Sequence, residues 1–365
     1  NGTGTVIEGS VDISGQGEQE VGAGIYLGAG SSLNLKDSTF ANNQVAGADV
    51  YGGAIHSYGS PVVLTSTVFV GNSAVSTGAN VGSNGVQKGA AGGAVMLKGN
   101  ASTVFTDVVF TNNSAAAEKT HDTTGGYAYG GALMVDYSTG TATGVERASD
   151  VTFKITKDLL YTGNTVSSDS TAESFDTYGY HVPTAQAGGF LFLDRGSVAQ
   201  FDVDEGRTLT IGSAVTNDDT DGIASSIPNT NTDNNGGRHA DITKTGLGSV
   251  VINGSLQKYY GTMTVEAGSL SVNSDWTLKN AVTVGEGAVL ALASFDLASA
   301  DESGNQDVSG SKLAGTLTVA GTLQTSSGQI FTQAASETQT SAGALVHSTE
   351  QLAVTGTITL NDAAY

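Results

Sequence analysis

The chain has 365 residues, a formal net charge of −21, 51 glycines, 3 prolines and no cysteine. Its 35 carboxylates outnumber 14 lysines and arginines, and this excess would repel phosphates, which argues against nucleic acid or anionic membranes as partners. The absence of cysteine excludes a disulfide framework and zinc sites built from thiolates, and no stretch approaches the roughly 20 apolar residues that span a bilayer.

Short runs that alternate apolar and polar residues recur along the whole chain, as in 31–36, 262–266 and 315–320. A period of two, bounded by glycine and other turn residues, indicates β-strands. Hydrophobic residues make up only 38% of the chain, a content that would also fit disorder, but the regular strand pattern argues against it. We therefore predict an all-β fold without helices.

Two short motifs alternate in the first half of the chain. One is a glycine pair followed by a small or apolar run, at Gly52 and Gly53, Gly92 and Gly93, Gly130 and Gly131, and Gly188 and Gly189. The other is an aromatic residue three positions before an asparagine, at Phe40 and Asn43, Phe69 and Asn72, Phe110 and Asn113, and Tyr161 and Asn164. Self-similarity on this scale indicates a solenoid.

The physics of a parallel β-coil explains why such residues repeat. Each rung places its strand about 4.8 Å above the previous one, so like residues stack on like. Aromatic residues would then form an interior stack, asparagines a hydrogen-bonded ladder at a corner, and glycine pairs tight bends. A β-sandwich with ordinary turns is the alternative, which four paired repetitions disfavour. With roughly 20 to 25 residues per coil, we expect about 15 rungs and a rod of about 70 Å.

The sequence pattern changes near residue 241. From there on, short predicted strands separated by glycine follow one another with few insertions. We therefore divide the chain into 1–240, a β-helix decorated with loops, and 241–365, a more regular β-helix. An insertion is also expected near 136–150, where the spacing between a glycine pair and the next aromatic residue widens.

The paired motifs resemble those of polymorphic membrane proteins, a family of autotransporter adhesins. The copies at Tyr161 and at Gly188 each depart from the pattern by one residue. A second resemblance, to the passenger-associated transport repeat of type V secretion systems, covers 242–254 and 260–272. Its elements are a Lys-x-Gly-x-Gly opening from Lys244, a Gly-x-x-x-Val centre and an Ala-Gly-x-Leu end.

These resemblances imply a right-handed parallel β-helix that is the passenger of an autotransporter. They imply secretion through an outer-membrane pore and display on the bacterial cell surface. They also imply an outer-membrane β-barrel in the same polypeptide, which is absent from this fragment. In such passengers the C-terminal coils resemble a folding nucleus, and we expect the same of 241–365.

Candidate binding residues come from the segments between each asparagine and the next glycine pair, namely 44–51, 73–91, 114–129 and 165–187. If the repeats are in register, these segments leave the same corner of successive rungs and form one face. Tyrosine and histidine suit contacts with glycan or protein because they join apolar area to a polar tip. The candidates are Tyr127, Tyr129, Phe175, Tyr178, Tyr180 and His181, which could instead only pack the loops onto the solenoid.

One segment resembles the start of a calcium-binding loop. Asn217, Asp219 and Asp221 place side-chain oxygens at alternate positions, and glycine follows at the sixth. The twelfth position is Pro228, whereas such loops require a glutamate that binds calcium through two oxygens. A solvated acidic loop is the main interpretation, and calcium is the one cofactor that the sequence leaves open.

Catalysis finds little support in the sequence. No serine lies in a Gly-x-Ser-x-Gly peptide, which α/β-hydrolases use. Asp202, Asp204 and Glu205 could serve a polysaccharide lyase or hydrolase, but strand alternation explains them equally as a solvated face. We expect no enzymatic activity, and a polysaccharide-degrading enzyme is the alternative.

The function that these observations favour is adhesion. We expect a surface adhesin whose loops bind host glycan or protein, or an identical passenger on a neighbouring cell in aggregation and biofilms, with a role in virulence. A passive spacer for another module is the second alternative. Self-association would have to overcome the repulsion of a net charge of −21.

We predict that 241–365 is more stable than the loop-bearing segment 44–187. Insertions raise the entropic penalty of closing each coil, and the second half has few of them. Hydrogen exchange followed by mass spectrometry should find slower exchange of backbone amides in 241–365, and equal or faster exchange there would contradict this prediction.

Overall fold

The computed structural model describes residues 21–77, 89–99, 102–118, 126–136, 149–169, 185–226, 240–278, 280–293 and 316–325, together with short strands between and beyond these ranges. Every regular element in this part of the chain is a β-strand, which confirms the all-β prediction. Within the same residues, no helix has the length and hydropathy needed to cross a membrane.

In the first half of the chain, each coil turns through five faces before it returns to the first. Face 1 contains Ile25–Leu27, Ile55–Tyr58, Val95–Lys98, Leu133–Asp136, Leu191–Leu193 and Ile223–Ser225. Face 4 contains Val11–Asp12, Gln44–Gly47, Ser73–Ser76, Ser114–Ala117 and Thr165–Ser168. Face 5 contains Gln19–Val21, Asp49–Tyr51, Gly89–Ala91, Tyr127–Tyr129 and Gln186–Ala187.

Faces 2 and 3 continue into the second half. Face 2 contains Gly2–Thr3, Leu33–Lys36, Val62–Thr65, Thr103–Thr106, Asp150–Ile155, Val198–Val203, Asp241–Thr245, Thr262–Val265, Val282–Val284, Thr316–Val319 and Gln351–Val354, with Leu345–Val346 antiparallel at its end. Face 3 begins with Val6–Glu8, Thr39–Ala41, Val68–Val70 and Val109–Thr111. After a bridge from Thr111 to Thr162, it continues with Leu159–Tyr161, Thr208–Ile211, Ser249–Ile252, Ser269–Val272, Val289–Leu292, Thr322–Thr325 and Thr357–Leu360.

Shorter strands lie outside these faces. Ser138–Thr139 pairs antiparallel with Glu146–Arg147, and Ser174–Phe175 pairs antiparallel with His181–Val182. Thr277–Leu278, Ser311–Leu313 and Phe295–Asp296 form a small parallel sheet. The first of these pairs lies between faces 1 and 2, within the insertion predicted near 136–150.

The parallel β-helix is confirmed, but the predicted coil length is wrong for the first half of the chain. The repeated asparagines and Asp221, which lie on successive N-terminal rungs, are 29, 41, 51 and 57 residues apart, because each coil has five strands and carries insertions. Separations of 19 to 21 residues, close to the predicted length, occur on the rungs from Asp241 to Leu292. In the described part of the chain, face 2 stacks eleven parallel strands, or about 50 Å at 4.8 Å per step. The right-handed winding stays a prediction.

The repeated aromatic residues form the interior stack that the sequence predicts. Phe40 and Phe110 flank Phe69, with ring centroids 4.9 and 5.1 Å apart and interplanar angles of 9° and 8°. Tyr161 follows edge-on to Phe110, at 5.6 Å and 90°. All four rings are fully buried. The stack therefore supplies one continuous wall of the core beneath face 3.

The repeated asparagines form a buried ladder at the corner between faces 3 and 4. The side-chain Nδ2 of Asn72 donates to Oδ1 of Asn113 at 3.0 Å, and the backbone nitrogen of Asn72 donates to the same oxygen at 3.0 Å. The same Nδ2 also donates to the carbonyl of Phe40 at 2.9 Å. Asn43 and Asn113 repeat this pattern one rung before and one rung after. Each side-chain amide thus satisfies two buried backbone groups of the preceding rung, the N–H of its asparagine and the C=O of its aromatic residue.

The ladder ends on a carboxylate. Oδ1 of Asp221 accepts hydrogen bonds from the backbone nitrogen and Nδ2 of Asn164, at 2.8 and 3.0 Å. Its Oδ2 accepts from the backbone nitrogen of Gly163 at 2.8 Å. Burial raises the pKa of Asp221, and these hydrogen bonds oppose the rise. Asp221 therefore takes the place of a fifth asparagine.

From Asp241 onward, the described rungs are built mainly from faces 2 and 3, since face 4 ends at Ser168, face 5 at Ala187 and face 1 at Ser225. The boundary between 1–240 and 241–365, and the folding nucleus in the second segment, stay predictions. Near the start of this segment Lys244 is 1% exposed. Its Nζ donates to the carbonyls of Thr245, Gly246 and Ala267 at 2.6, 2.8 and 3.1 Å, and burial lowers its pKa to about 8.

The asparagine ladder predicts a specific loss of stability. Asn113→Ala leaves the buried donors of Asn72 without their acceptor, and each orphaned buried group costs about 1 to 3 kcal/mol. We expect urea denaturation to show a fall of about 3 kcal/mol in the free energy of unfolding. Asn34→Ala, on the exposed side of face 2, is the matched control and should change it by less than about 0.5 kcal/mol.

Candidate functional site

The candidate site lies in the angle between faces 5 and 1, where the glycine pairs turn the chain. Gly52 has a φ of 66°, in the left-handed region that favours glycine. Gly53 follows in close contact with backbone, because a Cβ there would lie inside contact distance of the carbonyl oxygens of Ser73 and Gly93. The resulting bend turns the outer sides of faces 5 and 1 toward each other.

Outward side chains of the two faces fill this angle. They form a cluster, called the angle cluster here, of Tyr51, Ala91, Met96, Tyr129, Met134, Ala187, Phe192 and Ala224, with Tyr127 packed against it. The ring of Tyr129 stacks between those of Tyr127 and Phe192, at 5.1 and 4.6 Å. This cluster is separate from the interior core and from the small core between faces 4 and 5.

Polar residues border the angle cluster along the last position of the face 1 strands. Tyr58, Lys98 and Asp136 are in register on three successive rungs. Asp194 follows on the next rung, where its backbone nitrogen donates to the carbonyl of Val135 at 2.9 Å. We call Tyr58, Lys98, Asp136 and Asp194 the charged row.

The charges in this row are strongly coupled. Nζ of Lys98 lies 3.0 Å from Oδ2 of Asp136, and this carboxylate raises the pKa of Lys98. Burial, the negative charge of Asp136 and a hydrogen bond with its side chain raise the pKa of Asp194 well above the ordinary range. Asp194 therefore tends to keep its proton.

A second carboxylate holds the tyrosines of face 5. Asp49 accepts hydrogen bonds from the hydroxyls of Tyr51 and Tyr127, at 2.9 and 3.1 Å, and from the backbone nitrogen of Gly89 at 3.2 Å. The two hydroxyls lie 3.2 Å apart. Burial, followed by the charge of Asp49, raises the pKa of both tyrosines.

His56 lies between these two networks. It is 5% exposed, and its ring centroid lies 5.5 Å from that of Tyr26 and 5.9 Å from that of Tyr51. Within the described part of the chain, neither ring nitrogen has a hydrogen-bond partner. Burial, followed by the positive charge of Lys98, lowers the pKa of His56 to about 3, so the imidazole is neutral at physiological pH.

The predicted binding residues fall in different places. Tyr129 is 4% exposed and Tyr127 is half-buried, so both pack in or against the angle cluster. Phe175 and His181 occupy paired positions of two short antiparallel strands. Tyr178 and Tyr180 lie outside the described residues. A ligand-binding role for these six side chains stays a prediction.

The insertions leave one corner of successive rungs, as the register prediction requires. Ser76, Ala117 and Ser168 are aligned at the ends of the face 4 strands, and face 5 resumes in register on the other side. We call this the insertion corner, from which 77–88, 118–126 and 169–185 depart. The segment 44–51 was wrongly included, since only Ala48 joins Gln44–Gly47 to Asp49–Tyr51.

The candidate calcium ligands bind different protein groups. Asn217 exchanges two hydrogen bonds with Asp275, both at 3.0 Å. Asp219 forms an ion pair with Lys258 at 2.7 Å, and Asp221 caps the asparagine ladder. Among the described residues, no group of three or more His, Cys, Asp or Glu side chains could hold a metal ion. The acidic segment is therefore explained by its protein contacts.

Sequence reasoning missed Asp49, His56, Lys98, Asp136 and Asp194. It considered Asp202, Asp204 and Glu205 as candidate acids, but Asp204 and Glu205 are exposed at a turn after face 2. The residue type at these positions changes from rung to rung, so the sequence shows no repeated motif there. Counting four and six positions on from the first glycine of each pair would have aligned His56 with Met96 and Met134, and Lys98 with Asp136 and Asp194.

The comparisons with known proteins give one relative. The chain is similar to a protein of Escherichia coli (strain K12) named "Probable autotransporter YfaL", with 28% identity over 286 residues. The match covers 72% of this chain and 21% of that protein. No protein-family model matches the chain, and no solved structure matches it. The resemblance to polymorphic membrane proteins and to the transport repeat therefore stays a prediction.

We predict that His56 makes the protein less stable in acid. Its pKa is about 3 in the folded protein against 6.5 in the unfolded chain, so the unfolded state takes up the proton first as the pH falls. Between pH 6.5 and about 4.5 the wild type should lose about 2 kcal/mol relative to His56→Met.

His56→Met is a conservative substitution, because Met96 and Met134 occupy the same register position on the next two rungs. Denaturant unfolding across this pH range measures the difference. Parallel stability profiles for the two proteins would show that His56 titrates as an ordinary histidine.

Proposed function

We propose that this chain is part of a secreted autotransporter passenger that acts as a non-catalytic adhesin on the bacterial surface. The parallel β-helix and the similarity to a probable autotransporter over 72% of the chain support the passenger assignment. A β-barrel elsewhere in the same polypeptide would anchor it in the outer membrane. The chain spans about a fifth of the relative's length, so the adhesive role is carried by features of this chain.

The observation that carries the adhesive role is the insertion corner. Three successive rungs release an insertion at the same point between faces 4 and 5, so all three contribute to one side of the solenoid. Insertions stacked in this way build binding surfaces in repeat proteins. The partner that we propose is a host glycan or protein, or an identical passenger on a neighbouring cell.

Charge affects the choice among these partners. A net charge of −21 makes two copies repel each other at low ionic strength. Salt screens this repulsion between charges farther apart than a Debye length, which is about 8 Å at physiological ionic strength. Self-association should therefore increase with salt, whereas binding to a basic host protein should decrease.

The test removes the insertions while keeping the rungs. Because Ala48 alone connects faces 4 and 5 in the preceding rung, each insertion can be replaced by one alanine, at 77–88, 118–126 and 169–184. We expect this variant to lose binding on a glycan and host-protein array, measured with and without calcium. The control shortens 140–145 at the insertion between faces 1 and 2 and should bind like the wild type.

Undiminished binding by the triple-alanine variant would refute the role of the insertion corner. Turnover of a polyuronate by the wild type, with no binding on the array, would favour the alternative of a polysaccharide-degrading enzyme. If neither binding nor turnover occurs while a longer passenger binds, the spacer alternative is favoured.

A further inference from the structure

The charged row contains an ion pair in a geometry suited to covalent chemistry. Lys98 and Asp136 occupy directly paired positions on adjacent parallel strands, with Nζ and Oδ2 3.0 Å apart. Their side chains are 33% and 13% exposed. We propose that these two side chains condense into an amide bond that cross-links neighbouring rungs, with Asp194 as the proton donor.

Asp194 distinguishes this pair from an ordinary ion pair. It stands one rung beyond Asp136, fixed by the hydrogen bond from its backbone nitrogen to Val135. A side-chain hydrogen bond joins it to Asp136. A carboxyl that keeps its proton can polarise the carbonyl group of a neighbouring carboxyl and assist the departure of hydroxide.

The surroundings favour the neutral product. Met134 and Phe192 of the angle cluster are buried two positions before Asp136 and Asp194, and the nearby His56 has a pKa of about 3 because it is buried. Charges taken out of water are unfavourable. An amide is uncharged, and its N–H and C=O keep the hydrogen-bonding capacity toward Asp194.

The reaction balances without any further reactant. A proton passes from the ammonium of Lys98 to the carboxylate of Asp136, which leaves a neutral amine beside a carboxylic acid. The lone pair of Nζ attacks Cγ of Asp136 while Asp194 donates its proton to the carbonyl oxygen. Asp194 recovers its proton from the nitrogen of the tetrahedral intermediate. The Cγ–OH bond then breaks, the proton of the second hydroxyl joins the departing hydroxide, the C=O bond re-forms, and water leaves. One C–N bond replaces one C–O bond, and one water molecule is released.

Such a cross-link would give covalent stabilisation to a chain that has no cysteine and so forms no disulfide bond. It would enclose residues 98–136, including the insertion at 118–126, and thereby restrict the unfolded chain as a disulfide does. Unlike a disulfide, an amide is insensitive to reduction. It can form only after strands of adjacent rungs have paired, because only pairing brings Lys98 to Asp136.

Intact-mass measurement of the purified chain tests this proposal. We expect a mass lower than the sequence mass by one water molecule. Trypsin should then fail to cleave after Lys98 and should release peptides 89–119 and 120–147 joined to each other under reducing conditions. An intact mass equal to the sequence mass would overturn the proposal.

Two variants separate this reaction from other losses of water, such as ring closure at an Asp-Gly sequence. Lys98→Arg keeps the positive charge but lacks the nucleophilic amine, so its mass should equal its sequence mass; a persistent deficit would refute the cross-link. Asp194→Asn should reduce the cross-linked fraction at least about tenfold, with circular dichroism as the check on folding. A fully cross-linked Asp194→Asn protein would remove Asp194 from the reaction and overturn its role as the proton donor.

Discussion

The close approach of two backbone segments at the glycine pairs is the constraint on which the N-terminal half depends. Gly53, Gly93 and Gly131 each lie against the carbonyl of the residue that follows a ladder asparagine. A methyl group at these glycines would collide with backbone that cannot move aside. The corner that the glycines contact needs an asparagine. Its side-chain amide satisfies the buried backbone groups of that corner. The two motifs therefore repeat together because they are two sides of one contact.

This contact divides each coil into two parts. Faces 1, 2 and 3 enclose the main core, and faces 4 and 5 enclose a smaller one of valines and alanines. The angle between faces 5 and 1 is filled by the angle cluster and bordered by the charged row. The insertion corner lies on the far side of the smaller part, between faces 4 and 5. The insertion corner and the charged row thus lie at different corners of the coil, although the insertion between faces 1 and 2 follows Asp136 directly.

The repeated elements could be predicted because they use the same residue on every rung. Phe40, Phe69 and Phe110 stack as expected, and the asparagines form a ladder, since stacking in a parallel coil places like on like. The number of rungs was overestimated because a coil of roughly 20 to 25 residues fits only the later rungs, where paired positions lie 19 to 21 residues apart. The earlier rungs include faces 4 and 5 and carry insertions, so each of them uses more of the chain.

The charged row could not be predicted, because register there joins residues of different types. Lys98 and Asp136 are 38 positions apart in the chain, and the length of the intervening insertion hides their alignment. Asp221 was noticed for the wrong reason, as a calcium ligand, because its role as the last member of the asparagine ladder depends on a rung 57 residues earlier. Local spacing carries no information about such a partner.

The carboxylate at the end of the asparagine ladder also sets a direction for growth of the solenoid by duplication. The backbone nitrogen and Nδ2 of each asparagine donate to the side-chain oxygen of the next rung. A duplicated rung inserted before Asn164 would therefore find donors on the preceding rung and an acceptor on the following one. Asp221 has no side-chain N–H to pass on. A copy placed after it would begin with an unpaired side-chain oxygen in a buried corner. Rungs that carry the ladder can therefore be added upstream of Asp221 but not downstream of it, where the solenoid continues mainly on faces 2 and 3.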